Sequence, residues 1–176
     1  MLHRVDIISD THGYLSGELL EALEGAELIV HAGDCCSRAD YEVLGKFAPV
    51  QMCLGNNDWN YSYGPDVVKD VRFFRFGTRW QICHYEELLD TTTCDIAVCG
   101  HTHRPVLERQ GRCLVVNPGS TTFPRNQEGA TMARLMVGDD GAIESACVLT
   151  LDDGETLIAE PGKRQAGTGG FWRSFF

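Results

Sequence analysis

Ile96-Ala97-Val98-Cys99-Gly100-His101-Thr102-His103-Arg104-Pro105 joins an apolar run to two histidines one residue apart. Ile96-Ala97-Val98 reads as the end of a buried strand. On an extended segment successive side chains point to opposite sides, which predicts that His101 and His103 share a side while Thr102 faces away. Gly100 permits a sharp turn at the strand end, and Pro105 stops a helix from starting there. Two imidazoles placed this way can hold one metal between them, or each can serve a different metal. What stands at the other strand ends decides between these.

Three earlier stretches repeat the pattern. Val5, Ile7 and Ile8 mark a first strand over residues 3–9 that ends in Asp10-Thr11-His12. Leu28-Ile29-Val30 ends in His31-Ala32-Gly33-Asp34, and a third strand over 49–54 ends in Gly55-Asn56-Asn57-Asp58. Between them, leucines at 15, 19, 20 and 23 follow a helical spacing that Gly25 closes. Ser37 is placed to cap a second helix reaching Phe47. Strand, polar turn and helix in alternation imply parallel strands whose carboxyl ends form one edge, where ligands of open α/β sheets gather.

After Pro65 the pattern changes to short β-rich segments at 67–71, 72–76 and 80–83, with a Gly77-Thr78 turn, which predict antiparallel hairpins. His84 follows the third of these, residues 86–89 read as a short helix, and 95–99 is the strand that feeds the histidine pair. A hairpin over 106–116 delivers Asn117-Pro118-Gly119-Ser120, and two alternating strands at 130–137 and 142–149 flank Gly138-Asp139-Asp140-Gly141. One domain over 1–160 is expected, with a Gly-rich, aromatic-ended tail at 161–176.

A length of 176 residues suits one domain with a proper core. With 25 acidic against 15 basic residues the net charge is −10, which argues against a basic surface that grips long nucleic acid. Small phosphate-bearing substrates remain compatible, because bound divalent cations invert the local field. The amino-terminal apolar stretch is too short for a signal peptide and no run reaches membrane-spanning length, so a cytoplasmic location without a membrane partner is expected. The eight cysteines sit within apolar segments such as Gln81-Ile82-Cys83 and Ala97-Val98-Cys99, as buried reduced thiols do. The absence of Cys-x-x-Cys spacing argues against a zinc ribbon or a thioredoxin-type site.

Asp10, His12, Asp34, Asn56, His84, His101 and His103 are therefore the candidate ligands: two carboxylates, one amide and four of the six histidines. Oxygen and imidazole donors without thiolate suit manganese, iron, zinc or nickel better than a soft metal. This set exceeds what one ion needs once water positions are kept open, so two metals sharing a carboxylate is the economical reading. His31 is read as packing or hydrogen bonding beside Asp34 rather than ligating, and Cys83 and Cys99 as core.

Asp-x-His, Gly-Asp, Gly-Asn-x-Asp, a strand-end His and Gly-His-x-His, in this order, resemble the calcineurin-like metallophosphoesterase superfamily. The small size, Asn117-Pro118-Gly119-Ser120 and Pro124-Arg125 are similar to its compact, YfcE-like phosphodiesterase branch. The resemblance implies an α/β fold, a four-layer αββα sandwich of two mixed β-sheets flanked by helices. It implies that Asp10, His12 and His103 bind one metal, that Asn56, His84 and His101 bind a second, and that Asp34 bridges them. Two divalent ions are expected, manganese first, with nickel, iron, zinc or magnesium as alternatives. A water activated between them would attack a small phosphodiester in line with the leaving oxygen. A homo-oligomer is compatible with all of this.

Asp34, Asn57 and Asp58 are the expected catalytic residues. Larger members of the superfamily resemble Gly-Asn-His-Asp where this chain has Asn57, and an amide cannot supply a proton. A preference for good leaving groups follows. The family usually shows a Gly-His pair after the strand-end histidine, whereas this chain reads His84-Tyr85-Glu86-Glu87. Asn117 and Ser120 are placed to orient the ligand loops. Arg104 and Arg125 are weighed as phosphate contacts against solvated surface arginines. The aromatic loop Trp59-Asn60-Tyr61-Ser62-Tyr63-Gly64-Pro65 could stack on a flat substrate group, with core packing or a dimer contact the favoured reading. A non-catalytic scaffold of the same fold, or a phosphomonoesterase, are the competing functions.

Overall fold

The structure, a computed structural model, describes residues 1–160, so the tail at 161–176 lies outside the described residues. Along the chain run β1 (Leu2–Ile8), α1 (Gly17–Leu23), β2 (Leu28–His31), α2 (Arg38–Leu44), β3 (Val50–Met52), β4 (Asp70–Arg75) and β5 (Thr78–Cys83). A 3-10 turn (Glu86–Leu88) precedes β6 (Ile96–Val98), β7 (Pro105–Gln110), β8 (Cys113–Pro118), β9 (Thr131–Gly138), β10 (Ile143–Thr150) and β11 (Thr156–Glu160).

These strands form two mixed sheets, ordered β11-β10-β9-β1-β2-β3 and β4-β5-β6-β8-β7. In the first, β1, β2 and β3 are parallel and β9 joins β1 antiparallel. In the second, β5, β6 and β8 are parallel, with antiparallel β4 and β7 at the edges. Alternation along each strand sends one face inward. Val5, Ile7, Leu28 and Val30 thus meet Trp80, Ile82, Ile96, Val98, Leu114 and Val116 in the core between the sheets.

The other face of the first sheet presents Ile8 and Ile29 to Leu19 and Leu23 of α1 and Leu44 of α2. Both helices begin as the sequence predicts: Ser16 Oγ accepts the Leu19 N–H and Ser37 Oγ accepts the Asp40 N–H, each at 3.1 Å. The outer face of the second sheet is thinner. Ala97, Cys113 and Val115 are covered by Cys94 and Leu89 on the chain that follows the 3-10 turn.

Several local expectations change. The second helix ends at Leu44 rather than Phe47, because Lys46 and Phe47 donate to the carbonyls of Val43 and Leu44 in i to i+3 turns. No separate strand forms at 67–71; the Val68 carbonyl accepts the Leu54 N–H, and pairing begins at Asp70. The hairpin turn is Phe76-Gly77 rather than Gly77-Thr78. Both residues take positive φ, 50° and 67°, as a two-residue hairpin between Arg75 and Thr78 requires. β11, which pairs with β10, is not anticipated by the pattern.

Candidate metal centre

Six parallel strands end on one side of the sandwich, and every candidate ligand lies in the loops that leave them. Asp10 and His12 follow β1, Asp34 follows β2, Asn56 follows β3, His84 follows β5, and His101 and His103 follow β6. The loops then fold over the strand ends. Asp10 N donates to Gly33 O and His12 N to Asp34 O, both at 3.0 Å, while Gly100 N donates to His84 O at 3.1 Å.

The histidine pair is not extended, contrary to the alternation argument. His101 and His103 take left-handed φ of 66° and 58°, as do Asp10, His12 and Asp34 at 53°, 47° and 57°. Such a conformation costs an L residue about 1–2 kcal/mol, and the backbone bonds between the loops hold it. Gly100 is needed for a reason other than turning. A Cβ there would meet Ser9 Oγ at 2.0 Å and Asp10 Oδ2 at 2.8 Å, so glycine lets the two sheets close at the centre. Gly55 lets the loops after β2 and β3 of the first sheet approach, since a Cβ there would stand 2.1 Å from Asp34 Oδ1.

Two groups of ligand atoms assemble, each within 4.8 Å of one another: Asp10, His12 and His103, and Asp10, Asp34 and His84. His103 Nε2 lies 3.2 Å from Asp10 Oδ1 and 3.3 Å from His12 Nε2. Asp34 Oδ2 lies 3.5 Å from His84 Nε2 and 4.0 Å from His12 Nε2, so it reaches both sides. Asn56 Oδ1 stands 3.0 Å from both His84 Nε2 and His101 Nδ1. The His101 ring is thus joined to Asn56 rather than to either carboxylate.

The donors suit cations. Asp10 Oδ1 is buried with no hydrogen-bond partner, while Oδ2 accepts from Ser9 Oγ at 2.6 Å and His101 N at 3.0 Å. A buried carboxylate oxygen left bare is costly unless positive charge meets it. His84 Nδ1 donates to Ala32 O at 2.7 Å and His103 Nδ1 to Phe123 O at 2.6 Å. Those carbonyls can only accept, so each ring turns Nε2 and its lone pair toward the carboxylates, the usual arrangement behind a ligating histidine.

The local field has the same sense. The Asp10 contact lifts the His103 pKa above its ordinary value against the opposing effect of burial. Burial lowers that of His84, but Asp34 and the Ala32 carbonyl outweigh it and the net direction is upward. Burial pushes Asp34 up, and hydrogen bonds from His84 and Asn57 more than reverse this, holding it ionised well below the usual carboxylate range.

A second layer fixes these groups. Asp58 Oδ2 accepts from Asp34 N at 2.7 Å and Gly55 N at 2.8 Å, and Oδ1 accepts from Cys36 N at 2.9 Å and Tyr63 OH at 2.8 Å. Asn57 donates to both oxygens of Asp34. Asn117 Nδ2 donates to Gly100 O and Ser120 Oγ to Asp10 O, each at 2.8 Å. Ser9, the bond from Tyr63 to Asp58 and the carbonyls of Ala32 and Phe123 escape sequence reading, since no periodicity or motif marks them. Arg104 and Arg125 are exposed, and Cys83 and Cys99 are buried thiols whose pKa values burial pushes up to about 11 and about 12.

The model of the calcineurin-like phosphoesterase superfamily domain matches residues 4–140. A probable metallophosphoesterase of Methanothermobacter thermautotrophicus is 28% identical over 149 residues, which cover 77% of this chain and 87% of that one. Among solved structures, the phosphoesterase Yfce from E. coli superposes with a TM-score of 0.69 at 24% identity, covering 89% of this chain and 98% of that chain. Vacuolar Protein Sorting 29 from Cryptosporidium parvum does so with a TM-score of 0.75 at 20% identity, covering 92% and 99%. No helix among the described residues is long and apolar enough to cross a membrane.

Proposed function

Because the chain belongs to the calcineurin-like phosphoesterase superfamily, we propose that it is a dimetal phosphodiesterase acting on small diesters. The observation that carries this reading is the pair of ligand groups sharing Asp10, with its buried, unpartnered Oδ1. Asp10, His12 and His103 would hold one divalent ion, and His84, Asn56 and His101 the other, with Asp34 between them. Such ions neutralise phosphate charge and activate water for in-line attack. The chain's own residues do the rest. His84 and His103 keep Nε2 aimed inward through their Nδ1 bonds, and Asp58 locks the Asp34 and Gly55 backbones together. Asn57 orients Asp34 and has no proton to give a leaving group, which favours diesters of acidic alcohols.

A protein-binding scaffold is the competing reading, supported by the superposition on Vacuolar Protein Sorting 29. The full ligand set favours catalysis. The test is metal analysis joined to turnover of bis(p-nitrophenyl) phosphate with manganese, nickel or magnesium, with Asp34→Asn as control. Two bound ions with no hydrolysis under any metal would support the scaffold, and undiminished turnover in Asp34→Asn would remove Asp34 from its bridging role.

A further inference from the structure

Three aromatic side chains beside the centre take no part in holding it. Trp59 follows Asp58 and is 79% exposed, and Tyr61, 41% exposed, donates its N–H to Asp58 O at 2.9 Å. Tyr85 stands where the family usually has glycine, with its ring 4.5 Å from that of His101. With Leu88, 56% exposed, they line a cavity of about 400 Å³ that Asn56 and His84 also line. That volume falls in the range of small-molecule sites, about 300–1,000 Å³. The favoured sequence reading of the aromatic loop is core packing or a dimer contact; Tyr63 packs in the core, its ring buried and its hydroxyl engaged by Asp58. Trp59 does not pack in the core.

We propose that this cavity is the subsite for the nucleobase of a nucleotide phosphodiester whose phosphate lies at the metal centre, an inference that rests on the reading of that centre as a phosphodiesterase site. Continuity decides the occupant. Asn56 and His84 belong to both sites, so the cavity opens directly beside the centre and a ligand held there has room to extend into it. Its aromatic walls select a planar π-system, and stacking tolerates any base. Lys69 lines the cavity as a cation in a chain of net charge −10, which suits a phosphate-bearing ligand.

The test is calorimetric titration of the metal-loaded protein with adenosine 5′-monophosphate, phenyl phosphate and ribose 5-phosphate, alongside bis(p-nitrophenyl) phosphate turnover. Adenosine monophosphate should bind about tenfold or more tighter than ribose 5-phosphate. Trp59→Ala or Tyr85→Ala should bring that ratio toward one, and Trp59→Phe should keep most of it. Equal binding of the two, no binding of either, or a ratio that survives both alanine variants overturns the subsite. Phenyl phosphate binding as tightly as adenosine monophosphate overturns the nucleobase assignment. A nucleotide preference without diester turnover upholds the subsite and rejects the phosphodiesterase reading, whereas turnover without preference does the reverse.

Discussion

Asn57 turns both of its donors on one partner: its backbone N–H meets Asp34 Oδ1 at 2.7 Å and its carboxamide meets Asp34 Oδ2 at 2.6 Å. The residue standing where larger family members have a histidine therefore positions the Asp34 carboxylate. Hydrogen bonds to a charged group contribute about 1.5–3 kcal/mol. Asn57→Ala, which keeps the backbone bond, should lower phosphodiester turnover roughly 10- to 100-fold with metal content retained. Asn57→His restores a titratable group at this position and should narrow the rate gap between activated and unactivated diesters. The same gap in parent and variant would show that the position has no bearing on the leaving group.

Asp58 joins four donors from two loops, and Tyr63 is the only side chain among them. Burial, and then the Asp58 bond, push the Tyr63 phenol far above its ordinary pKa, so it stays a donor. Tyr63→Phe should cost about 1–2 kcal/mol and lower Tm by roughly 2–8 °C, with both ions still bound. Asp58→Ala leaves three backbone N–H groups without their acceptor and should unfold earlier and lose metal as well. Thermal unfolding with and without added manganese, read beside metal content, separates the two.

His31 is fully buried, and its role is not ligation. Nδ1 accepts the Gly33 N–H at 3.2 Å, so the ring proton sits on Nε2 and is donated to Thr11 Oγ1 at 3.0 Å. Burial pulls its pKa from 6.5 to about 4 despite the pull of Asp58 and Asp10 in the other direction. Below pH 6.5 the unfolded chain binds a proton that the native ring refuses, so stability falls as pH drops from 6.5 toward about 4. His31→Asn, whose amide oxygen can replace Nδ1, should show a shallower fall over that window. Equal slopes for parent and variant in urea unfolding would assign the acid sensitivity elsewhere.

Asp6 lies fully buried under α1 between two arginines, with Arg4 Nη2 and Arg134 Nε each 2.7 Å from its oxygens. Arg134 also donates to the Ala22 carbonyl at 2.7 Å, tying the sheet to the helix end. Removing one partner of such a cluster typically costs about 3–5 kcal/mol. Asp6→Leu should fall toward the lower end, since both guanidiniums reach solvent. Exchanging Arg4 and Arg134 for methionine in the same chain should recover most of the loss, and urea midpoints with unchanged m-values would record it.

Much of the architecture is readable from periodicity. Val5, Ile7, Leu28 and Val30 alternate into the core and Ser16 and Ser37 cap their helices, because these choices depend on neighbours a few residues away. Boundaries were less legible. Phe47 continues the helical spacing but sits in a tightened turn, and the strand beginning at Asp70 depends on pairing with Cys83 rather than on its own pattern. Of the centre, the ligand types were legible as motifs. The bonds to Asp58 from Asp34 and Cys36 and the carbonyls behind His84 and His103 were not, since they come from loops remote in sequence.

The sequence by itself determined that Asp10, His12, Asp34, Asn56, His84, His101 and His103 leave strand ends, because apolar runs followed by turn residues specify where a strand stops. Only the tertiary structure decided how those ends meet. His101 and His103 converge through left-handed backbone rather than strand alternation, and Gly100 and Gly55 serve close approach between loops. It also decided that Trp59 is exposed beside the centre while Tyr63 is buried against Asp58. The physical reason is range: backbone preference and hydrophobic period act over a few residues, whereas these contacts depend on the packing of two sheets.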